Sequence, residues 1–166
     1  MANNYAELFR HYISLTQGYE LPAALEHSTA QAREVLGRIS ESQLGYSYQP
    51  GKWTIAQVLS HIIDAERVFA YRAMRYSRQD TTPLASFDDD HYALHSGFVN
   101  RSLGSFLEEF YAQRVSTVML FNSFTPEMLT YSDNEIGKGL TVEKLGRMIA
   151  GHSMHHCNVL VERYGI

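Results

Sequence analysis

The chain has 166 residues with 45% hydrophobic and 19% charged content, which is apolar enough to bury a core and too uncharged for a disordered tail. Fourteen Lys and Arg against eighteen Asp and Glu give a net charge of −4 with no basic cluster, so nucleic acid is an unexpected partner. One cysteine, Cys157, excludes an intramolecular disulfide and a thiolate metal cage, and no apolar run approaches the roughly 20 residues of a membrane span. One domain over 1–166, cytoplasmic and without a signal peptide, is the expectation.

In chain order, a short helix is expected over Tyr5–Ser14, followed by one from about Pro22 to Ile39 with Leu25, Ser28, Ala32, Val35, Leu36 and Ile39 along one face. Gly45 to Lys52 reads as a loop. Thr54 then caps a helix running to about Ser77, on which Ile55, Leu59, Ile62, Glu66, Phe69 and Ala73 form one stripe and Val58, His61, Ala65, Val68 and Arg72 the next. From Gln79 to about Val99 the periodicity dissolves, and a stretch of about 20 residues is long enough to be a crossover or a lid. Asn100 is the expected cap of the next helix, with Leu103, Leu107, Phe110, Arg114, Val118 and Phe121 on its apolar face; a short turn follows at Pro126 to Leu129. Ser132 to Gly139 reads as a polar loop, and Thr141 caps a last helix to Tyr164. Four main helices with one long connection between the second and third describe an all-α four-helix bundle with a crossover.

Chemistry concentrates in the eight histidines. On the last helix Leu145, Ile149, His152, His156 and Val159 repeat at helical spacing, so its buried stripe carries two imidazoles four residues apart. Two such imidazoles can reach one ion, and His61, on the buried side of the second main helix, supplies a third ligand if the two helices pack together. Three neutral histidines leave a coordination position for water or substrate. His155 competes with His156 for the pairing with His152; His156 is preferred because it continues the stripe. Asp64, one turn beyond His61, is a candidate to orient an imidazole or act as a base, or else pairs with Arg67. Glu66 is expected to pair with Arg114. His11 and His27 read as surface residues, His91 and His95 as a loop pair, Asp88 to Asp90 as a solvated acidic run, and Cys157 as a small core residue. No HExxH, GxSxG, Walker or GxGxxG motif occurs, and no ExxH pair for a di-iron site.

The segment PGKWTIAQVLSHIIDAERVFAYRAMRYSRQDTTPLASFDDDHY, the helix NRSLGSFLEEFYAQR and the ending IAGHSMHHCNVLVERY together resemble the DinB superfamily, in its metal-binding four-helix-bundle branch. The resemblance implies an up-down-down-up bundle and a divalent metal, commonly nickel or zinc, on His61, His152 and His156. It also implies a small-molecule substrate and thiol chemistry at the metal, because relatives include bacillithiol- and mycothiol-dependent S-transferases. A metal-dependent hydrolase is the alternative reaction, and a non-catalytic metal- or ligand-binding stress protein the alternative class. A homodimer is expected as well, with Tyr71, Tyr76 and Tyr111 on outer faces.

Overall fold

The computed structural model describes residues 5–132 and 139–166, so the first four residues and most of the polar loop expected at 132–139 lie outside it. The described residues form seven helices: α1 (Tyr5–Ser14), α2 (Leu21–Leu36), α3 (Ile55–Ser77), α4 (Asp89–His95), α5 (Leu103–Asn122), α6 (Pro126–Thr130) and α7 (Val142–Tyr164). The long ones start where their caps dictate. The Thr54 hydroxyl accepts from the Gln57 N–H, with Gln57 returning the bond to the Thr54 backbone, and the Thr141 hydroxyl accepts from Lys144. The cap of α5 is Ser102, whose hydroxyl accepts from the Ser105 N–H. Asn100, expected there, ends a short 3-10 turn over Phe98–Asn100 instead.

Side-chain contacts fix the topology of the bundle. Gln31 meets Asn158 while Leu21 lies against Gly146, so α2 and α7 run parallel. His61 meets His152 and the Tyr164 hydroxyl donates to the Trp53 carbonyl at 2.7 Å, so α3 and α7 are antiparallel. Arg67 pairs with Glu109 near the start of α5, and Arg78, just past the end of α3, lies over the ring of Phe124, just past the end of α5, which makes α3 and α5 parallel neighbours. That is the up-down-down-up bundle, and parallel α3 and α5 require a connection that returns the length of the bundle. The expected stripes are buried: Leu25, Ser28, Ala32, Val35, Leu36 and Ile39 on the α2 side, and Ile55, Leu59, Ile62, Glu66, Phe69 and Ala73 on α3. Tyr76 corrects one expectation. It is 5% exposed and packs in the core with Leu21 and Phe121, because it continues the Phe69 and Ala73 stripe by one turn; Tyr71 is half exposed.

Helix α1 lies across the middle of α7, and one residue makes this possible. A Cβ on Gly151 would stand 1.9 Å from the Tyr12 carbonyl oxygen, a backbone atom that cannot swing aside. Gly151→Ala is therefore expected to lift α1, lowering stability by about 1–3 kcal/mol and exposing α1 amides. Thermal unfolding and hydrogen exchange check this, and unchanged protection of α1 would contradict the close approach.

Candidate metal centre

His61 sits in the second turn of α3, and His152 and His156 sit mid-α7 one turn apart, so antiparallel packing brings the three rings into one cluster. Their centroids are 4.8 Å apart (His61 to His152), 4.8 Å (His61 to His156) and 4.5 Å (His152 to His156), and all three side chains are buried. His61 Nε2 lies 2.9 Å from His152 Nε2. Both ring nitrogens of His156 are buried with no hydrogen-bond partner, which costs free energy in any folded chain. One candidate ligand atom from each of the three falls within 4.8 Å of the others. Nitrogens 2.0–2.1 Å from a common ion are at most about 4.2 Å apart, so a small ring rotation closes the set. The residues fit a divalent cation.

Their protonation states fit it too. Burial, followed by the positive potential of His155, lowers the His61 pKa to about 4. His152 and His156 are held well below the ordinary imidazole value by burial first and neighbouring histidines second. All three are neutral at pH 7, the form that binds a metal.

Around the trio stand residues that the sequence did not single out. The Trp53 ring is 4.7 Å from His61, and its indole N–H donates to Asp90 Oδ1 at 3.1 Å. The Tyr12 ring meets the edge of His152 at 5.1 Å, and burial, with Asp89 adding to it, pushes the phenol up to about 12. The main omission is Asp89. Within the run expected to be solvated, Asp88 caps α4 through the His91 N–H, and α4 packs on α3, so Asp89 faces inward. Its Oδ1 is buried, without a hydrogen-bond partner, and 4.0 Å from His61 Nδ1. Burial and the adjacent Asp90 and Asp88 raise its pKa.

The other candidates fall elsewhere. Asp64 binds Arg67 at 3.2 Å, in a network continuing through Glu109 to Arg101; burial raises its pKa against the pull of Arg67. Asp64 thus takes the Arg67 pairing expected as its alternative, and the carboxylate oxygen found 4.0 Å from His61 Nδ1 is that of Asp89. His155 Nδ1 is 3.2 Å from His11 Nε2, which ties that pair to each other. His91 and His95 stack on one another on α4, and His27 stacks on Tyr19. Cys157 is fully buried, with a thiol pushed up to about 12.

A pH dependence follows for metal-free protein. Unfolded imidazoles titrate near 6.5, whereas His61 resists protonation to about 4 and His152 and His156 are held well below the ordinary value, so the unfolded state binds more protons below pH 6.5. Stability is therefore lost as pH falls from 6.5 toward 4, by up to about 1.4 kcal/mol per pH unit for each histidine. Chelator-treated protein should melt progressively lower across this range, and His156→Gln should flatten the slope. An equal slope in that variant would show that His156 titrates normally.

Three comparisons with known proteins bear on this geometry. A search of curated proteins finds no match. Among solved structures, YfiT from Bacillus subtilis, described as a probable metal-dependent hydrolase with an unusual four-helix bundle topology, superposes with a TM-score of 0.73 at 19% identity, covering 87% of this chain and 86% of its own. At that identity the likeness establishes the fold. The DinB superfamily matches residues 24–160, which include all of α3, α4 and α5 and all three clustered histidines, and the chain belongs to the DinB superfamily.

Proposed function

We propose that the protein is a metal-dependent enzyme in which His61, His152 and His156 hold one divalent ion, nickel or zinc, and Asp89 steadies His61 from outside. The observation that carries this is the orphaned His156 imidazole, with neither ring nitrogen hydrogen-bonded, buried beside the close His61 and His152 nitrogens. An ion bound there supplies Lewis acidity, which lowers the pKa of a thiol or water brought to it. His61 turns Nε2 toward His152 and Nδ1 toward Asp89, so the carboxylate favours the tautomer that leaves Nε2 free as a ligand. At 4.0 Å the two atoms are about 1 Å beyond hydrogen-bond distance. Trp53, Tyr12 and Phe69 wall the cluster with rings and restrict water.

Thiol S-transfer is the first reading of the reaction. The chain's one cysteine is buried and held protonated, so the sulfur would come from a low-molecular-weight cosubstrate such as bacillithiol or mycothiol. Hydrolysis is the second reading. It is favoured by the unpartnered Asp89 oxygen, whose raised pKa suits a general base for water, and by the description of the Bacillus subtilis protein. A cytoplasmic location fits a free, buried cysteine, and no helix among the described residues is long and apolar enough to cross a membrane.

One set of variants tests both the centre and the reaction. His61→Ala, His152→Ala and His156→Ala should each lose bound nickel or zinc, His155→Ala should keep it, and Asp89→Asn should weaken it by about tenfold. Metal analysis reads occupancy, as does the fluorescence of Trp53, the one tryptophan. Loss of metal in His155→Ala with retention in His156→Ala would reassign the site. Metal-loaded protein is then assayed on aryl halides and simple esters, with and without bacillithiol, mycothiol or glutathione. Turnover that needs both thiol and metal supports the transferase; ester cleavage without thiol, abolished in His152→Ala, supports the hydrolase. Neither activity in metal-replete protein would favour a non-catalytic binding role.

We also propose a two-fold homodimer, supported by half-exposed Tyr71 and by Val115 and Met119, which are 59% and 69% exposed on α5. Sedimentation should show a dimer at micromolar concentration, and a monomer there would remove the claim.

A further inference from the structure

A cavity of about 780 Å³ opens between α1, the C-terminal half of α3, the start of the crossover and the beginning of α7. None of the clustered histidines lines it. Phe9, Leu84 and Leu140 give it apolar walls, while Arg10, Arg72 and Lys144 bring a cation from each of three helices. Among the described residues no Asp or Glu lines it, a local reversal of sign in a chain of net charge −4. None of the three cations forms an ion pair with a described residue, unlike Arg67, Arg75, Arg101, Arg114 and Arg147. Arg72 gives one N–H to the Ala85 carbonyl at 3.3 Å and lies over the Phe87 ring, and Lys144 gives one proton to the Gly139 carbonyl at 2.6 Å. Each retains further donors. Asp89 offers Arg72 a favourable potential without a direct pair, and burial still lowers the Arg72 pKa.

The volume falls within the range of small-molecule sites, and the combination of hydrocarbon walls with uncompensated cations selects for charge as well as size. We propose that this cavity binds a small amphipathic anion, an organic carboxylate or phosphate monoester with a hydrocarbon body, whose charged end is held by Arg10, Arg72 and Lys144. The site is separate from the histidine cluster. Phe9 meets Phe69 edge-on and Phe69 meets His152 edge-on, so two rings stand between them. The proposal therefore does not depend on the metal reading.

Calorimetric titration with octanoate and octyl phosphate tests it, with octanol and octyltrimethylammonium as uncharged and cationic counterparts of the same chain. One or both anions should bind, more weakly at high salt, and the stronger of the two identifies carboxylate or phosphate as the preferred head. Affinity should fall about tenfold in Arg72→Met, and His152→Ala should bind as the parent chain does, which separates this site from the metal centre. If Arg72→Met misfolds, the double variant Arg10→Met with Lys144→Met carries the same test from side chains nearer the surface. Equal affinity for the cation or the alcohol, unchanged affinity in the charge variants, or no binding of either anion would overturn the proposal.

Discussion

The buried Arg114–Glu66 pair sets the frame in which everything else is placed. Both side chains are 2% exposed, and the guanidinium meets both carboxylate oxygens, at 2.9 Å from Nε to Oε1 and 2.9 Å from Nη2 to Oε2. Its Nη1 group is shared among the Ser28 and Thr29 hydroxyls and the Leu25 carbonyl, so one cation joins α5 to α3 and α2. Removing one partner of such a pair leaves a buried charge without compensation, a penalty of about 3–5 kcal/mol. That penalty fixes register. His61 is five residues before Glu66 on α3, and sliding α3 by one residue would rotate its imidazole about 100° away from α7. Burial first and the neighbouring histidines next hold the His152 pKa down, with the Arg114 guanidinium the last contributor.

The topology supplies the remainder of the candidate centre. Because α3 and α5 are parallel neighbours, the chain must return along the full length of α3, about 35 Å for its 23 residues. About 25 residues make that return, and extended they would span more than twice the distance. The surplus folds into α4 and lays it on α3, held by the Trp53–Asp90 bond and a 3.5 Å contact from Gln57 Nε2 to the Ala93 carbonyl. Asp89 reaches His61 as a consequence. An antiparallel bundle with short loops would have no segment free to bring a carboxylate there.

This division also explains what was legible in the sequence. Helical stripes, the Thr54 and Thr141 caps and the pairing of Glu66 with Arg114 follow from spacing within a helix or from the cost of a lone buried charge, and both can be read locally. Asp89, Trp53 and Tyr12 carry no such mark. Asp89 differs from Asp88 and Asp90 only by the docking of α4, and Tyr12 reaches His152 only because Gly151 lets α1 settle on α7. Tyr76 was misplaced for a related reason: an aromatic near the end of a long helix looks exposed until Phe124 and α6 are known to close over that end. Asn100 and Ser102 are both good caps by type, and the choice between them lies in the 3-10 turn that consumes Asn100.

Three neutral imidazoles in a buried cluster are a poor way to build a core. An aliphatic stripe at 152 and 156 would pack against α3 without leaving two nitrogens of one ring unsatisfied. Their low proton affinity means that protonation does not relieve the cost at pH 7, and the hydrogen bond available between His61 and His152 leaves His156 outside it. A group that accepts a lone pair from each of the three at once, and is itself too small to disturb the packing of α3 on α7, satisfies one nitrogen of every ring. A metal cation has those properties, whereas a water molecule donates to only two rings and must accept an N–H from the third. The energetics of burying these rings and the spacing of their nitrogens thus favour the same occupant.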